Sequence, residues 1–151
     1  MTLPEAEDLR EETEVLFAAL DASDRARWSE PTQFKGWTLD QVLRHLTHWN
    51  RMTLLQLSDE DRLLAVLAEI ARAPSLRAWE DAQDPRTGDA LLADFRASGH
   101  AAADAFAEVD PKRRLKWAGP EMSARSSMTA RLMETWAHGQ EVFDHLGLVR
   151  E

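Results

Sequence analysis

One stretch near the C-terminus concentrates side chains that bind metal ions. The segment ARLMETWAHGQEVFDHLG, residues 130–147, carries Glu134, His138, Glu141, Asp144 and His145 in what the sequence predicts to be a single helix. Glu134 and His138 are four residues apart, about one helical turn, so they lie on the same face of that helix. The spacing therefore predicts that both side chains can reach one metal ion.

The other polar residues of this helix have different predicted positions. His145 lies seven residues after His138, roughly 10 Å along the axis, which is too far for a shared ion whose ligand bonds are about 2 Å long. Glu141 is three residues from His138, where its carboxylate can orient the imidazole ring. Asp144 and His145 are predicted in a solvated last turn, where a histidine also interacts favourably with the helix dipole.

A metal site needs a third ligand from another part of the chain. His45 is in step with the apolar residues of a second predicted helix, so it faces the core, and helix bundles build metal sites from facing helices. His48 is an alternative ligand that lies closer to the polar side of the same helix. His100 follows Gly99 in the middle of another helix and has no paired ligand nearby in the sequence.

The same residues also allow a structural interpretation. Glu134 and His138 can form an exposed ion pair of small energetic value, and a single inward-facing histidine such as His45 is commonly a hydrogen-bonded core residue. The six tryptophans can pack the core and the helix ends instead of lining a pocket.

Four main helices are predicted to position these side chains. Apolar residues recur at helical spacing over about 4–22, 38–57 and 90–109, and in a last helix that begins near Ser123 or Ser126 and ends at Leu146. The stripe of the first helix contains Leu9, Val15, Leu16, Ala19 and Leu20. Thr38 and Gln41 form a capping-box pattern, and Gly147 lies where a helix C-terminal glycine belongs. Between the second and third helices we expect a short helix capped by Ser58 and then a turn-rich segment, PSLRAWEDAQDPRTGD. With no convincing strand, the pattern predicts an all-α helix bundle.

Composition limits the classes of function. The chain has 151 residues, as expected for one domain. Its net charge of −9 argues against nucleic acid and anionic membranes as partners. The absence of cysteine excludes disulfides, thiolate metal ligands and a cysteine nucleophile. Because no signal peptide or membrane-spanning run is visible, we expect a cytoplasmic protein.

Two segments together resemble a known family. GWTLDQVLRHL, residues 36–46, and MSARSSMTARLMETWAHGQEVFDHLG, residues 122–147, resemble the DinB-like metal-binding superfamily, in the branch of the mycothiol-dependent maleylpyruvate isomerases. The shared pattern is a Trp, a His followed by Leu, and then Glu-x-x-x-His, which here are Trp37, His45, Glu134 and His138. The resemblance implies a DinB-like four-helix bundle with a metal ion held by His45, Glu134 and His138. Residues 1–151 would then form a single metal-binding domain, complete in itself or the N-terminal part of a two-domain protein.

The resemblance also implies a function. We expect a divalent metal ion, zinc by default, although the same ligands suit Fe(II) or nickel. The ion would activate a low-molecular-weight thiol, mycothiol, for transfer or isomerisation of a small anionic substrate. The alternative is a non-catalytic metal-binding or dimerisation module, and a homodimer is a further expectation. We expect Trp37, Trp49, Trp117 and Met122 to line the cofactor pocket and Arg125 to anchor an anionic group.

Overall fold

A computed structural model describes residues 3–150 of the chain. It contains six α-helices, α1 (Pro4–Asp21), α2 (Leu39–Ser58), α3 (Glu60–Arg72), α4 (Leu76–Gln83), α5 (Gly88–Ala107) and α6 (Ala124–Leu146), a 3-10 helix (Arg25–Ser29) and two short strands, β1 (Arg114–Leu115) and β2 (Met122–Ser123). The long helices α1, α2, α5 and α6 form the bundle, and α1 and α2 each pack against both α5 and α6. The predicted all-α four-helix bundle is therefore confirmed.

The ends of the two helices that carry the candidate ligands follow local sequence signals. At the start of α2, the Thr38 hydroxyl accepts a hydrogen bond from the Gln41 backbone, and the Gln41 side chain accepts one from the Thr38 backbone. This is the predicted capping box. At the start of α6, the Ser123 side chain accepts a hydrogen bond from the Ser126 backbone. Gly147 ends α6 with φ of 71°, a left-handed conformation that glycine adopts without strain.

Between α2 and α5 the structure differs from the prediction in two places. The N-cap of α3 is Asp59 and not Ser58, because the Asp59 carboxylate accepts the hydrogen bond from the Arg62 backbone. The segment predicted to be turn-rich contains α4, which begins after Ser75, whose hydroxyl caps it by accepting from Ala78. This helix has only eight residues, so its apolar pattern repeats for little more than two turns.

The loop before α6 also differs from the prediction, because it contains a small antiparallel pairing. β1 and β2 pair with Arg114 opposite Ser123 and Leu115 opposite Met122. The turn between these strands carries Trp117, whose ring lies 5.5 Å from that of Trp49 on α2, centroid to centroid. The pairing thus places Trp117 against the outer side of α2.

The contact between α1 and α5 explains two features of the sequence. Val15, predicted in the apolar stripe of α1, is 44% exposed, and the buried face of α1 includes Leu9, Thr13 and Leu16. A Cβ added at Gly99 would lie 2.7 Å from the Thr13 hydroxyl oxygen. Glycine inside α5 costs about 1 kcal/mol of helix propensity, and here it lets the two helices approach closely.

The apolar core divides into clusters that leave one side of α2 available for a site. Two clusters fill the bundle, and the third joins Met52 of α2 to Leu63 and Val66 of α3, with Trp49, Trp79 and Trp117 packed partly against it. The third cluster is a layer outside the bundle, next to the position of His45. Within residues 3–150, no helix is both long enough and apolar enough to cross a membrane.

Candidate metal centre

The three predicted metal ligands come together between α2 and α6. His45, Glu134 and His138 each offer one ligand atom, and these atoms all lie within 4.8 Å of one another. The two imidazole rings are 5.0 Å apart between centroids. On α6, Nε2 of His138 lies 3.2 Å from Oε2 of Glu134. Small side-chain adjustments would bring all three atoms to one ion, whose bonds to nitrogen and oxygen are about 2 Å long.

Each histidine of this group has a carboxylate at its other ring nitrogen. Nδ1 of His45 lies 2.8 Å from Oε2 of Glu80, and Nδ1 of His138 lies 3.0 Å from Oε2 of Glu141. A carboxylate at Nδ1 favours the tautomer in which Nδ1 donates and Nε2 presents its lone pair, as in most metal-binding histidines. The position of Glu141 agrees with its predicted orienting role.

Glu80 is the most deeply buried carboxylate of the site, at 3% exposure. It lies on α4, and Nε1 of Trp49 donates a second hydrogen bond of 2.8 Å to its Oε2. A buried carboxylate is costly unless it is hydrogen-bonded, so these two contacts hold Glu80 in one orientation. Gln41 of α2 also donates to Asp81 of α4, which ties the two helices together beside the site.

The charges around His138 are unbalanced in the metal-free protein. Burial alone would lower the pKa of His138, but hydrogen bonds to Glu134 and Glu141 outweigh it and raise the pKa to about 9. The hydrogen bond from His138 in turn lowers the pKa of Glu134. A proton on His138 therefore supplies positive charge between two carboxylates, at a place where a cation is favoured.

Two cavities border the ligand group. A cavity of about 290 Å³ is lined by His45, Trp49, Thr53, Leu76, Trp117, Met122, Ser127, Ala130, Arg131 and Glu134. A second cavity of about 620 Å³ is lined by Phe34, Lys35, Trp37, His45, Ser75, Leu76, Arg77, Glu134 and His138. His45 and Glu134 belong to both, so the ligand group is accessible from two sides.

The aromatic residues expected at the pocket lie on these walls. Trp49, Trp117 and Met122 line the smaller cavity, and Trp37 lines the larger one. The Trp37 ring lies 5.4 Å from that of His45 and is stacked on that of His138 at 6.3 Å. Their predicted role in binding a cofactor stays a prediction, but their positions suit it.

The remaining histidines lie outside the ligand group. Nε2 of His48 is buried with no hydrogen-bond partner among residues 3–150, and burial lowers the pKa of His48 to about 4. His48 lines a different cavity, together with Arg44 and Arg51. The sequence predicts His145 in a solvated turn, but its side chain is only 13% exposed and its Nε2 lies 3.2 Å from Oε1 of Glu30.

Comparison with known proteins assigns the family. Residues 9–143 match the family model described as the mycothiol maleylpyruvate isomerase N-terminal domain. The chain belongs to this family. The resemblance identified in the sequence, which rested on the motifs around Trp37 and Glu134, is therefore confirmed.

Relatives of this domain family include longer proteins. Two uncharacterized proteins of Mycobacterium tuberculosis, one from strain CDC 1551 and one from strain H37Rv, are each 37% identical over 153 residues, covering 97% of this chain. The chain spans 58% of the length of each. Crystal structures of the mycothiol-dependent maleylpyruvate isomerase and of a histidine-to-alanine mutant of it superpose with TM-scores of 0.69 and 0.70, at 21% identity. Each superposition covers 97% of this chain and 60% of the solved chain, and it shows that the two proteins share the fold.

Arg125, which the sequence predicts to anchor an anionic group, does not lie at either cavity. Arg125 forms an ion pair with Glu5, 3.3 Å from its Nε, and is not among the residues that line either cavity. Its expected role as an anion anchor is therefore not supported by its position. Arg131 lies in the smaller cavity instead. Spacing could have found it, because Arg131 precedes Glu134 by three residues and His138 by seven and so shares their face.

Glu80 is a second residue of the candidate site that the sequence does not predict. It lies in the segment predicted as turns, so nothing placed it on a helix next to His45. A short helix start at Ser75, with a serine at the N-cap, is the one signal that the sequence offers for this element.

Proposed function

We propose that His45, Glu134 and His138 hold one divalent metal ion, with zinc as the first expectation. We further propose that the chain uses this ion with a low-molecular-weight thiol, mycothiol, for a transfer or isomerisation reaction. The observation that carries the proposal is the convergence of three ligand atoms within 4.8 Å, on two different helices. Family membership supports the thiol, because the family is described by mycothiol and maleylpyruvate isomerase.

The donor set fits a catalytic metal ion. Two imidazole nitrogens and one carboxylate suit zinc, and the same set also suits Fe(II) or nickel. Both histidines have a carboxylate at Nδ1, a common partner of metal-binding histidines. Within residues 3–150 the group of potential ligands contains these three residues and no fourth, which supports coordination positions open to a cosubstrate.

The residues around such a site would have different roles. A bound divalent ion would supply Lewis acidity and would lower the pKa of a thiol that reaches it. Glu80 and Glu141 keep the two imidazoles in one orientation, with Nε2 toward the shared centre. Trp49 and Trp117 form apolar walls of the smaller cavity next to His45 and Glu134. Since the chain has no cysteine, a thiol nucleophile would come from the cosubstrate.

Metal content of the purified protein tests the ligand assignment. We expect near-stoichiometric zinc in wild-type protein produced without a histidine tag, and strong loss in His45→Ala and His138→Ala. His100→Ala is the matched control, because His100 contacts Glu14 on the far side of the bundle. Equal metal content in wild type and both ligand variants would overturn the proposal.

Thiol use needs a separate test. In cobalt-substituted protein, added mycothiol should change the visible absorption spectrum, because a sulfur ligand alters the d–d and charge-transfer bands. No spectral change at saturating thiol would contradict thiol activation while leaving the metal assignment intact. That result, together with stoichiometric metal, would favour the non-catalytic metal-binding module.

A further inference from the structure

The smaller cavity contains a buried guanidinium with unfilled hydrogen-bonding capacity. Arg131 is 5% exposed, and its Nε and Nη2 are buried with no hydrogen-bond partner among the described residues, 3–150. Arginine normally fills its five donors by binding carboxylates, carbonyls or water. A buried donor without a partner is costly, and more so when it is charged.

Arg131 keeps its charge at neutral pH in spite of this environment. Burial lowers the pKa of Arg131 to about 10, against the attraction of Glu134 and Glu80. Neither carboxylate is hydrogen-bonded or ion-paired to the guanidinium, and both have other contacts. Glu134 lies against His138, and Glu80 binds His45 and Trp49. The positive charge is therefore balanced only at a distance.

Among the described residues that line the cavity, Arg131 is the only arginine or lysine. Its walls are largely apolar, formed by Trp49, Leu76, Trp117 and Met122. Its two hydroxyls are already engaged, because Thr53 donates to the Trp49 carbonyl and Ser127 donates to the Gln56 side chain. A ligand in this cavity would thus meet aromatic surfaces, the Arg131 guanidinium and, close to it, the candidate metal ligands His45 and Glu134.

We propose that Arg131 forms an anion-binding subsite that takes the carboxylate of a small organic acid with a flat apolar body. The planar guanidinium matches a carboxylate by paired N–H donors, and the tryptophan walls match the apolar body. A single positive charge near two glutamates suits a monoanion better than a phosphate dianion, which the glutamates would repel. The subsite deepens the proposed function, on which it rests for its role beside the metal ligands.

Helix α6 explains how the subsite and the ligand group stay in register. Ser127, Arg131, Glu134 and His138 follow one another at intervals of four, three and four residues, so they form one stripe along the helix. Arg131 is therefore one turn from Glu134, and a bound acid would lie with its carboxylate one turn away from the candidate metal centre. This makes Arg131 a residue that selects and orients the substrate.

The test compares benzoate with benzamide, which has nearly the same shape and no charge. Binding is measured by tryptophan fluorescence and calorimetry on the 151-residue chain after treatment with a chelator, so that no metal ion can bind the carboxylate. We expect wild type to bind benzoate about 10-fold or more tightly than benzamide, the value of a charge-assisted hydrogen bond. Arg131→Met should bring the two affinities within about twofold, because the charge is gone.

Two further variants serve as controls. Arg125→Met removes an exposed arginine of the same helix and should leave the benzoate preference of wild type unchanged. Arg131→Lys keeps the charge but loses the planar fork, and should retain part of the preference. Circular dichroism melting curves check that each variant is folded. If Arg131→Met does not fold, the wild-type ratio and Arg131→Lys still decide the question.

The outcomes separate this subsite from the metal proposal. Equal affinity of wild type for benzoate and benzamide, or no binding of either, would overturn the subsite. So would a benzoate preference that survives in folded Arg131→Met. A preference that depends on Arg131 in metal-free protein supports the subsite even if the zinc measurements fail. Conversely, stoichiometric zinc at His45 and His138 without any benzoate preference leaves the metal proposal intact and removes only the anion subsite.

Discussion

Two glutamate–histidine contacts in this bundle differ in what surrounds them. Between α1 and α5, Nε2 of His100 contacts Oε1 of Glu14. Within α6, Nε2 of His138 contacts Oε2 of Glu134. The residue types and the ring nitrogen are the same, so the pair alone does not distinguish a metal site from a structural ion pair.

The other ring nitrogen makes the distinction. Nδ1 of His100 lies 3.3 Å from Nη1 of Arg10, which can only donate, so Nδ1 accepts and Nε2 keeps its proton for Glu14. Nδ1 of His138 faces the carboxylate of Glu141 instead, which favours the opposite tautomer and leaves Nε2 as the ligand atom. Arg96 also pairs with Glu14. The first contact is therefore surrounded by cations, and the second by carboxylates.

Removing the glutamate of each pair should produce the largest difference. Glu134→Ala should weaken zinc binding about 1,000-fold, because an apparent binding free energy of about 10–16 kcal/mol is shared among a few ligands. Glu14→Ala should change it by no more than about twofold, as a distant and independent site. Competition with a fluorescent zinc chelator measures both. Similar losses in the two variants would remove the distinction between the two contacts.

The next largest effect is expected in the pH dependence of zinc affinity. The pKa of His138 is raised to about 9, so below that pH an incoming ion must displace its proton. Zinc affinity should therefore rise about tenfold per pH unit, or roughly 30-fold from pH 6.5 to 8. Calorimetry in buffers of different ionisation enthalpy should show release of at least one proton per ion. A flat pH profile would mean that His138 is not a ligand.

Loss of an orienting carboxylate should have a smaller effect. Glu80→Gln keeps the shape of the side chain but removes the charge at Nδ1 of His45, and should weaken zinc binding about 10- to 100-fold. Arg10→Met changes the corresponding neighbour of His100 and is the matched control, with zinc affinity as in wild type. If Glu80→Gln binds zinc like wild type, the negative charge of Glu80 does not contribute to metal binding through His45.

The sequence predicts the long elements well for a physical reason. α1, α2, α5 and α6 have 18 to 23 residues each, so their apolar stripes repeat over five or more turns and identify both the helix and its buried face. The spacing of Glu134 and His138 also follows from helix geometry. The eight residues of α4 and the two-residue strands give no such repetition, and their positions depend on tertiary contacts with α2 and α6.

In the candidate site, too, some residues can be predicted from the sequence and others cannot. His45 can be placed on an inward face of α2, but local periodicity cannot reveal which helix lies opposite it or that Glu80, 35 residues later, reaches its Nδ1. Arg131 obeys the same spacing as the ligands, yet a search for ligand-type side chains passes over an arginine. Its role as a candidate binding residue can be inferred only from the structure, which shows the cavity and the unpaired donors of the Arg131 guanidinium.

The smallest expected effect concerns the stability of the cation-surrounded pair. Hydrogen bonding to Arg96 is the main cause that lowers the pKa of Glu14. A lowered carboxyl pKa contributes stability above the unfolded-state pKa, and that contribution is lost as the pH falls through the folded-state value. Because the Glu14 side chain is 37% exposed, Glu14→Gln should cost about 1 kcal/mol or less at pH 7. Urea unfolding at pH 7 and pH 3 measures this, and the difference between variant and wild type should shrink at the lower pH. If the stability difference between variant and wild type is the same at pH 7 and pH 3, Glu14 acts through packing. The charges around His100 would then not explain how its contact with Glu14 differs from the contact of His138 with Glu134.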